Sequence, residues 1–227
     1  MLQAYRGVVD VWEIHIPHFH PMEKELFELL DDREKARAVR FVFPHLTTRY
    51  IIGHAALRIV LGRYTGVKPQ DVTFRYGEKG KPYLADNPYQ VEFNYSDSHE
   101  KALIGISAVE ELGVDIEIIN PKILEKNLHE SVFSKKELAF FLEHPNQVQA
   151  FYCGWTHKEA MLKLLGTGLY VDMTAVEVPL ELATNTLLVH YGEKTQYVRS
   201  YILNNEYHIA VASNTLITDI RTEIFNV

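Results

Sequence analysis

The chain has 227 residues, of which 47% are hydrophobic and 23% are charged, and its formal net charge is −7. This composition is typical of a globular protein with a sizeable core, and the acidic balance disfavours general nucleic-acid binding, which needs a surplus of Lys and Arg. Cys153 is the only cysteine, so the chain cannot form an internal disulfide. We find no signal-peptide pattern and no apolar run of bilayer length, and we expect a soluble, cytoplasmic protein without membrane partners.

The first half of the chain, residues 1–110, predicts an α/β subdomain. Alternating apolar residues favour a strand over residues 8–16, and apolar residues at helical spacing predict a helix between residues 21 and 43. A longer helix is predicted over residues 47–66, where glycines end it. Short strands follow on both sides of a turn-rich segment, at residues 72–76, 91–96 and 102–107.

The second half, residues 111–227, repeats this order. It predicts a strand over residues 112–119, one or two helices between 122 and 144, and a long helix over 148–168. The closing strands are predicted at residues 175–180, 186–191, 196–203 and 207–213. Residues 53–62 align with residues 157–166, and with the matching order of elements this favours two related α/β halves that meet at an interface, a common place for ligand sites.

Acidic side chains occur at two places in the second half. In the strand Gly-Val-Asp-Ile-Glu, Asp115 and Glu117 project from one face. Two such carboxylates can share one hard cation such as Mg²⁺, although an ordinary polar strand face is the simpler interpretation. In the long helix, Glu159 and Lys163 lie one turn apart in apolar surroundings, a spacing that also occurs in exposed ion pairs.

Candidate phosphate-binding groups occur in the first half. Lys79 and Lys81 lie on a glycine-rich turn from which they can reach a phosphate, and Ser96 can add a hydroxyl donor. A solvated hairpin is the alternative for this turn. Arg37 lies among alternating charges, most of which we expect to be solvated.

Four short motifs follow one another along the chain: Gly-Lys-Pro at residues 80–82, Phe-Asn-Tyr-Ser-Asp-Ser at 93–98, Gly-Val-Asp-Ile-Glu at 113–117 and Trp-Thr-His-Lys-Glu-Ala-Met-Leu-Lys-Leu-Leu-Gly at 155–166. In this order they resemble the Sfp-type 4′-phosphopantetheinyl transferases, whose motifs are G-K/R-P, F-N-x-S-H-S, G-[IV]-D-[IV]-E and W-[ST]-x-K-E-A-x-x-K. The last two match almost letter for letter, and the resemblance covers nearly the whole chain. It implies that family's fold, a pseudo-twofold pair of similar α/β subdomains, here residues 1–110 and 111–227.

The resemblance also implies an enzyme. Such a transferase moves the 4′-phosphopantetheine arm of coenzyme A to a serine hydroxyl of an apo acyl or peptidyl carrier protein, with release of adenosine 3′,5′-bisphosphate. By this resemblance, Asp115, Glu117 and Glu159 would bind Mg²⁺ against the pyrophosphate of coenzyme A. Glu159 would also take the serine proton, directly or through a metal-bound water, and Lys163 would meet the pyrophosphate and assist the leaving group. The positions that hold the nucleotide and its phosphates correspond to Arg37, Lys79, Lys81 and Ser96.

One position departs from the family pattern. Asp97 stands where the family has a histidine that contacts the 3′-phosphate of coenzyme A. A carboxylate repels an anion unless it is protonated or has a neighbouring cation, at a cost of about a kcal/mol at close range. We therefore expect weakened binding of coenzyme A, or a relaxed preference for its 3′-phosphate.

Two other functions remain open from the residues alone. A catalytically weakened module that binds coenzyme A or a carrier protein is compatible with Asp97, and another Mg²⁺-dependent phosphoryl-transfer enzyme could share the fold. We expect a monomer, because two halves in one chain complete a site between them. Since carrier proteins present an acidic helix, we also expect an apolar patch with local cations.

Overall fold

A computed structural model of the chain describes residues 6–108, 110–168 and 171–227. These residues form two four-stranded sheets and a two-stranded hairpin, with helices packed on the sheets, which confirms the predicted α/β class. In this described part of the chain, no helix is long and apolar enough to cross a membrane.

Each half contains helices between strands, as predicted. The elements of the first half are β1 (Val8–His15), α1 (Glu23–Glu28), α2 (Asp32–Ala38), α3 (Pro44–Thr65), β2 (Phe74–Tyr76), β3 (Pro82–Leu84), β4 (Val91–Ser98) and β5 (Lys101–Ala108). Those of the second half are β6 (Leu112–Ile118), α4 (His129–Val132), α5 (Lys135–Glu143), α6 (Gln147–Leu165), β7 (Leu187–Tyr191), β8 (Lys194–Leu203), β9 (Tyr207–Ser213) and β10 (Asp219–Ile224).

The strand order joins the two ends of the chain. The first sheet has the order β10-β1-β5-β4, in which β10 runs parallel to β1 and the other pairs are antiparallel. The second sheet is antiparallel and has the order β6-β9-β8-β7. Strand β10, which the sequence patterns do not predict, therefore belongs to the sheet of the first half. The division at residues 110 and 111 stays a prediction.

Two predicted elements differ in the structure. The single helix expected between residues 21 and 43 is α1 and α2, because Asp31 starts a new helix: its side chain accepts from the Glu34 amide at 2.8 Å, while Glu34 accepts from the Asp31 amide at 3.1 Å. This capping box satisfies backbone donors that a continuous helix would not expose. The strand predicted at residues 175–180 is wrong. A short 3-10 helix at Met173–Ala175 leads into irregular backbone there, whose apolar side chains face the second core.

The long helices α3 and α6 occupy matching places in their halves. Arg58 of α3 is fully buried and donates to Glu34 at 2.6 Å, and Lys158 of α6 is fully buried and donates to Glu137 at 2.7 Å. Both acceptors are the third residue of a capped helix, α2 and α5 respectively. Eight residues after each cation, α3 and α6 end at glycines with φ of 72° and 67°. The structure thus aligns Arg58 with Lys158 and Gly66 with Gly166. This alignment differs by four residues, about one helical turn, from the predicted match of residues 53–62 with 157–166.

A shared apolar cluster joins the two sheets. It contains residues of β1 and β5 from the first half and of β6 and β9 from the second: Val9, Val11, Leu103, Leu112, Val114, Ile116, Tyr207, Ile209 and Val211, with Ile217. Each half also has its own core between sheet and helices. Because burial of such side chains stabilises by about 1.5–3 kcal/mol each, this cluster holds the two sheets together. Strand β4, which pairs with β5, then lies beside β6 at the seam between the halves.

Candidate active site

Side chains of β4 bridge to β6 along the seam. Asn94 Oδ1 accepts from the Val114 amide at 2.9 Å, and Ser96 Oγ donates to Asp115 Oδ1 at 2.9 Å. Further along, Ser98 Oγ donates to a carboxylate oxygen of Glu117 at 2.8 Å. The three β4 residues are spaced by two and therefore share one strand face. They fix the positions of both β6 carboxylates.

Helix α6 lies directly on β6. A Cβ at Gly113 would overlap the carbonyl oxygen of Ala160, so this glycine permits the close approach of helix and strand. The approach brings Lys163 Nζ to 2.6 Å from Asp115 Oδ1 and 2.7 Å from Ser96 Oγ. The glycine that precedes the two acidic residues in the third motif thus has a packing role.

The indole of Trp155 holds the second β6 carboxylate. Its Nε1 donates to Glu117 Oε1 at 3.3 Å, opposite the bond from Ser98. The ring stacks on Phe151 at a centroid distance of 6.0 Å. Trp155 therefore both packs α6 and orients Glu117.

The predicted carboxylates repel one another in this cluster. Burial, together with the charges of Asp115 and Glu117, raises the pKa of Glu159 to about 7, although Lys163 acts in the opposite direction. Burial also raises the pKa of Asp115 and of Glu117, and Asp115 adds to the effect on Glu117. Asp115 Oδ2 is buried and has no hydrogen-bond partner in the described part of the protein. One ammonium, that of Lys163, thus faces three acidic groups.

The expected metal cluster is not formed in the structure. Across residues 6–108, 110–168 and 171–227, no group of three or more His, Cys, Asp or Glu side chains is arranged to hold a metal ion. The Lys163 ammonium lies against Asp115 instead. The assignment of Asp115, Glu117 and Glu159 to Mg²⁺ stays a prediction.

A cavity of about 590 Å³ lies on the other side of β4, between α2, α3 and the β2–β3 hairpin. Three of the predicted nucleotide-binding residues line it, namely Arg37, Lys79 and Asp97. Arg33 and Arg49 add two further cations to its wall. The cavity also has aromatic walls, formed by Phe41, Phe74, Tyr50, Tyr76 and Tyr95. Cations and ring faces together suit a phosphorylated nucleotide.

Two predicted phosphate-binding residues lie elsewhere. Lys81 donates to the carbonyl oxygens of Leu112 and Leu164, at 3.3 and 3.1 Å, and so ties the start of β6 to the end of α6. Burial lowers the pKa of its ammonium. Ser96 belongs to the cluster with Asp115 and Lys163. The structure therefore separates the predicted set into a seam group and a cavity group.

Sequence reasoning missed several residues of both groups. The polar residues 94, 96 and 98 alternate along β4, and that period of two is a signal that could have identified Asn94 and Ser98. Arg49 lies in α3 without any local motif, and its ion pair with Asp97 across 48 positions has no signal in a single sequence. Ser98 and Asn94 act by positioning the strand and its carboxylates.

A smaller groove of about 330 Å³ begins at Glu117 and Trp155. Its other walls are apolar side chains, namely Ile118 at the end of β6, Ile123, Leu128, and Phe151 of α6. Two lysines from the segment after β6, Lys122 and Lys126, also line it. It combines an apolar floor with local cations beside the seam.

Comparisons with known proteins agree with this geometry. The model of the 4′-phosphopantetheinyl transferase superfamily matches residues 111–212, and a model of the 4′-phosphopantetheinyl transferase N-terminal region matches residues 17–111. The 4′-phosphopantetheinyl transferase HetI of Nostoc sp. (strain PCC 7120) is 32% identical over 176 residues, which are 76% of this chain and 74% of HetI. The 4′-phosphopantetheinyl transferase Sfp of Bacillus subtilis (strain 168) is 28% identical over 186 residues, 81% of this chain and 80% of Sfp.

The chain belongs to the 4′-phosphopantetheinyl transferase family, with Sfp-type enzymes among its relatives. The family resemblance of the four motifs is thereby confirmed. The protein is a transferase, and its family takes phosphopantetheine from coenzyme A and delivers it to carrier proteins.

Proposed function

We propose that this enzyme transfers 4′-phosphopantetheine from coenzyme A to a serine hydroxyl of an apo carrier protein, in a Mg²⁺-dependent reaction that releases adenosine 3′,5′-bisphosphate. The observation that carries the proposal is the seam cluster of Asp115, Glu117, Glu159 and Lys163. Phosphoryl transfer needs positioned charges more than covalent chemistry from the protein, and this cluster offers acidic and cationic groups side by side.

The acidic residues fit a hard divalent cation. Mg²⁺ is bound through one or two carboxylates with water and substrate phosphate oxygens, and the seam supplies the carboxylates of Asp115, Glu117 and Glu159 for this purpose. The buried Asp115 Oδ2 lacks a partner within the described residues, as expected for an oxygen reserved for a ligand. Asp115, Glu117 and Glu159 would hold the ion, which when bound neutralises negative charge on the pyrophosphate and on the transferring group.

Glu159 and Lys163 have different roles in the transfer. The serine oxygen forms a bond to the β-phosphorus of coenzyme A, and the bond from that phosphorus to the bridging oxygen breaks. Glu159 accepts the serine proton, and the bridging oxygen leaves with adenosine 3′,5′-bisphosphate. Lys163, held by Asp115 and Ser96, places its ammonium beside the leaving oxygen, where negative charge develops.

The cavity behind β4 receives the nucleotide. Arg37 and Lys79 line this cavity with positive charge that suits phosphates, and the rings of Tyr50 and Tyr76 offer surfaces for the adenine. Lys81 and Ser96 support the site from the seam rather than from the cavity.

The groove beside Glu117 receives the carrier protein. Lys122 and Lys126 flank an apolar floor, which is the complement of an acidic helix with exposed apolar side chains. The groove begins at Glu117 and Trp155, and Trp155 lies one helical turn before Glu159 on α6, so a serine at the start of such a helix would reach Glu159. Since Ser96 of one half and Asp115 of the other meet within one chain, the site needs no second subunit, and we infer a monomer. The single buried Cys153 is consistent with the predicted cytoplasmic location.

Mass spectrometry of an apo carrier protein tests the proposal. The carrier is incubated with the enzyme, coenzyme A and Mg²⁺, and in parallel with EDTA. We expect a mass gain of one phosphopantetheine arm that disappears with EDTA and falls by at least about a hundredfold in Glu159→Gln, as for loss of a general base. Glu143→Gln, the same change at an exposed position at the end of α5, is the matched control and should retain the wild-type rate.

Each alternative has its own outcome in this assay. Undiminished transfer by Glu159→Gln would show that Glu159 has no catalytic role. Undiminished transfer in EDTA would show that the reaction needs no divalent metal ion. If the wild type binds coenzyme A but modifies none of several carrier proteins, the chain is a catalytically weakened binding module.

A further inference from the structure

Two histidines meet at the surface of the first half, where β1 ends. Nδ1 of His15 lies 3.1 Å from Nδ1 of His18, and the two rings stand edge to face with their centroids 5.1 Å apart. Both side chains are open to solvent, and 43% of the His15 side chain is exposed. Neither residue lines the cavity behind β4. The pair is therefore a separate feature of the surface.

The local backbone holds this pair in place. The two histidines span the start of a 3-10 helix at Ile16–Met22, in which side chains three residues apart lie one above the other. Pro17 fixes a backbone angle between them, and the buried side chains of Ile16 and Phe19 anchor the segment on the first core. The Ile16 amide also donates to the Glu100 carbonyl oxygen at 2.9 Å, which ties the segment to the turn between β4 and β5.

The distance between the two nitrogens fits a transition-metal ion. Imidazole nitrogens bind Zn²⁺ at about 2.0–2.1 Å, and at that length two nitrogens 3.1 Å apart subtend an angle of about 100° at the ion, close to the tetrahedral value. A hydrogen bond across this contact uses the lone pair of only one Nδ1, whereas a metal ion uses both. Imidazole ligands suit Zn²⁺, Ni²⁺ and Cu²⁺, while Mg²⁺ prefers oxygen.

The charges around the pair also favour a cation. A carboxylate oxygen of Glu100 lies 3.8 Å from Nε2 of His15, the ring nitrogen that does not face His18. A histidine that binds a metal commonly directs its other N–H to a carboxylate, which fixes the tautomer and makes the ligand more basic. Lys101 lies opposite His15 in the sheet, but its ammonium is 3.9 Å from Glu13, so that carboxylate offsets its charge.

We propose that His15 and His18 form a binding site for a divalent transition metal of the Zn²⁺, Ni²⁺ and Cu²⁺ class. Both Nδ1 atoms coordinate the ion, and Glu100 orients the His15 ring from the other side. Within the described residues, no third His, Cys, Asp or Glu side chain completes a ligand set, so water takes the remaining positions. The site differs from the seam in its ligands and in the class of ion that it takes.

NMR of the imidazole nitrogens during a Zn²⁺ titration tests the site. The full chain is stripped of metal and kept in excess Mg²⁺, which competes for carboxylate oxygens but not for imidazoles. We expect one equivalent of Zn²⁺ to shift the Nδ1 signals of His15 and His18 more than their Nε2 signals. His18→Gln should weaken Zn²⁺ binding by about a hundredfold, and Glu100→Gln, which removes only an outer partner, by about tenfold.

A matched control separates this pair from the other histidines. His190→Gln removes an exposed imidazole from the edge strand β7 and should leave both the Zn²⁺ affinity and the shifts of the pair unchanged. Circular dichroism spectra that match the wild type show that each variant is folded.

Two results would overturn the site. Equal Zn²⁺ affinity of the wild type and His18→Gln would show that the ion binds elsewhere. Unshifted Nδ1 signals of His15 and His18 at one equivalent of Zn²⁺ would show that their contact is only a hydrogen bond between two rings. Transfer of phosphopantetheine to a carrier protein is measured separately, so either result leaves the proposed function in place.

Discussion

The two halves of the molecule contain the same strand-and-helix arrangement, but only one of them leaves its acidic group without a full set of partners. Residues 9–12 of β1 are Val-Asp-Val-Trp, so Trp12 lies two positions after Asp10. Residues 114–117 of β6 are Val-Asp-Ile-Glu, so Glu117 lies two positions after Asp115. Asp10 accepts from the Tyr64 hydroxyl at 2.8 Å, and that oxygen accepts from Trp12 Nε1 at 3.0 Å. Asp10, Tyr64 and Trp12 of the first half thus satisfy one another.

The second half has a different balance at the matching positions. Glu117 replaces the indole of β1, α6 adds Glu159, and Asp115 Oδ2 has no partner within the described chain. Buried polar atoms are nearly always hydrogen-bonded, and Asp115 Oδ2 is one of the exceptions in the described chain. The matching positions of β1 and β6 thus carry a hydrogen-bonded polar group in the first half and carboxylates with raised pKa values in the second.

Replacement of each of the two equivalent aspartates by asparagine should give the largest difference in activity between two variants. Asp115→Asn should lower kcat/KM for carrier modification by at least about a hundredfold, because it removes the negative charge that holds Lys163 and faces the proposed cation. Asp10→Asn should leave kcat/KM within about threefold of the wild type, because Asp10 contacts Tyr64 rather than the site. Comparable losses in both variants would contradict the division of roles between the halves.

The two buried ion pairs should differ in their contribution to stability. Arg58 bonds to Glu34, Asp31 and the Val72 carbonyl, so Arg58→Met should lower the free energy of unfolding by about 3–5 kcal/mol, as expected when one partner of a buried pair is removed. Lys158 bonds to one carboxylate and one carbonyl, and Lys158→Met should cost less.

Urea denaturation of both variants, monitored by circular dichroism, measures this difference. The seam residues are intact in each variant, so residual activity in the folded fraction should persist. If Lys158→Met loses as much free energy of unfolding as Arg58→Met, or more, the number of hydrogen bonds does not determine which pair contributes more to stability.

Acid titration of the first of these pairs gives the smallest expected effect. Burial raises the pKa of Glu34, but the hydrogen bonds and charges of His54 and Arg58 outweigh burial and lower it. A folded-state pKa below the unfolded value of about 4.3 means that Glu34 stabilises the protein fully above that pH and loses this contribution as the pH falls through its folded-state pKa. The free energy of unfolding of the wild type should therefore fall on acidification below about pH 5 more steeply than that of Glu34→Gln. Parallel slopes in denaturant titrations at several pH values would contradict this assignment.

Motifs and periodicity predicted much of the molecule but not its long-range pairings. Alternation identified β1, β4 and β6, and the third and fourth motifs placed Asp115, Glu117, Glu159 and Lys163, which the fold brings together. The expectation for Lys81 followed from the turn that precedes it, yet its ammonium caps backbone carbonyls of the other half. Contacts of this kind depend on how the two halves pack, and a single sequence holds no local pattern for them. Strand β10 was missed for the same reason, because it forms by pairing with β1, which lies about 210 residues earlier in the chain.

The return of β10 to β1 imposes an order on synthesis and folding. Residues 219–224 leave the ribosome after the whole of the second sheet, although they complete the first one. One edge of β1 therefore has no strand partner until translation has passed the last strand of the second sheet, so its backbone N–H and C=O groups stay exposed during that time.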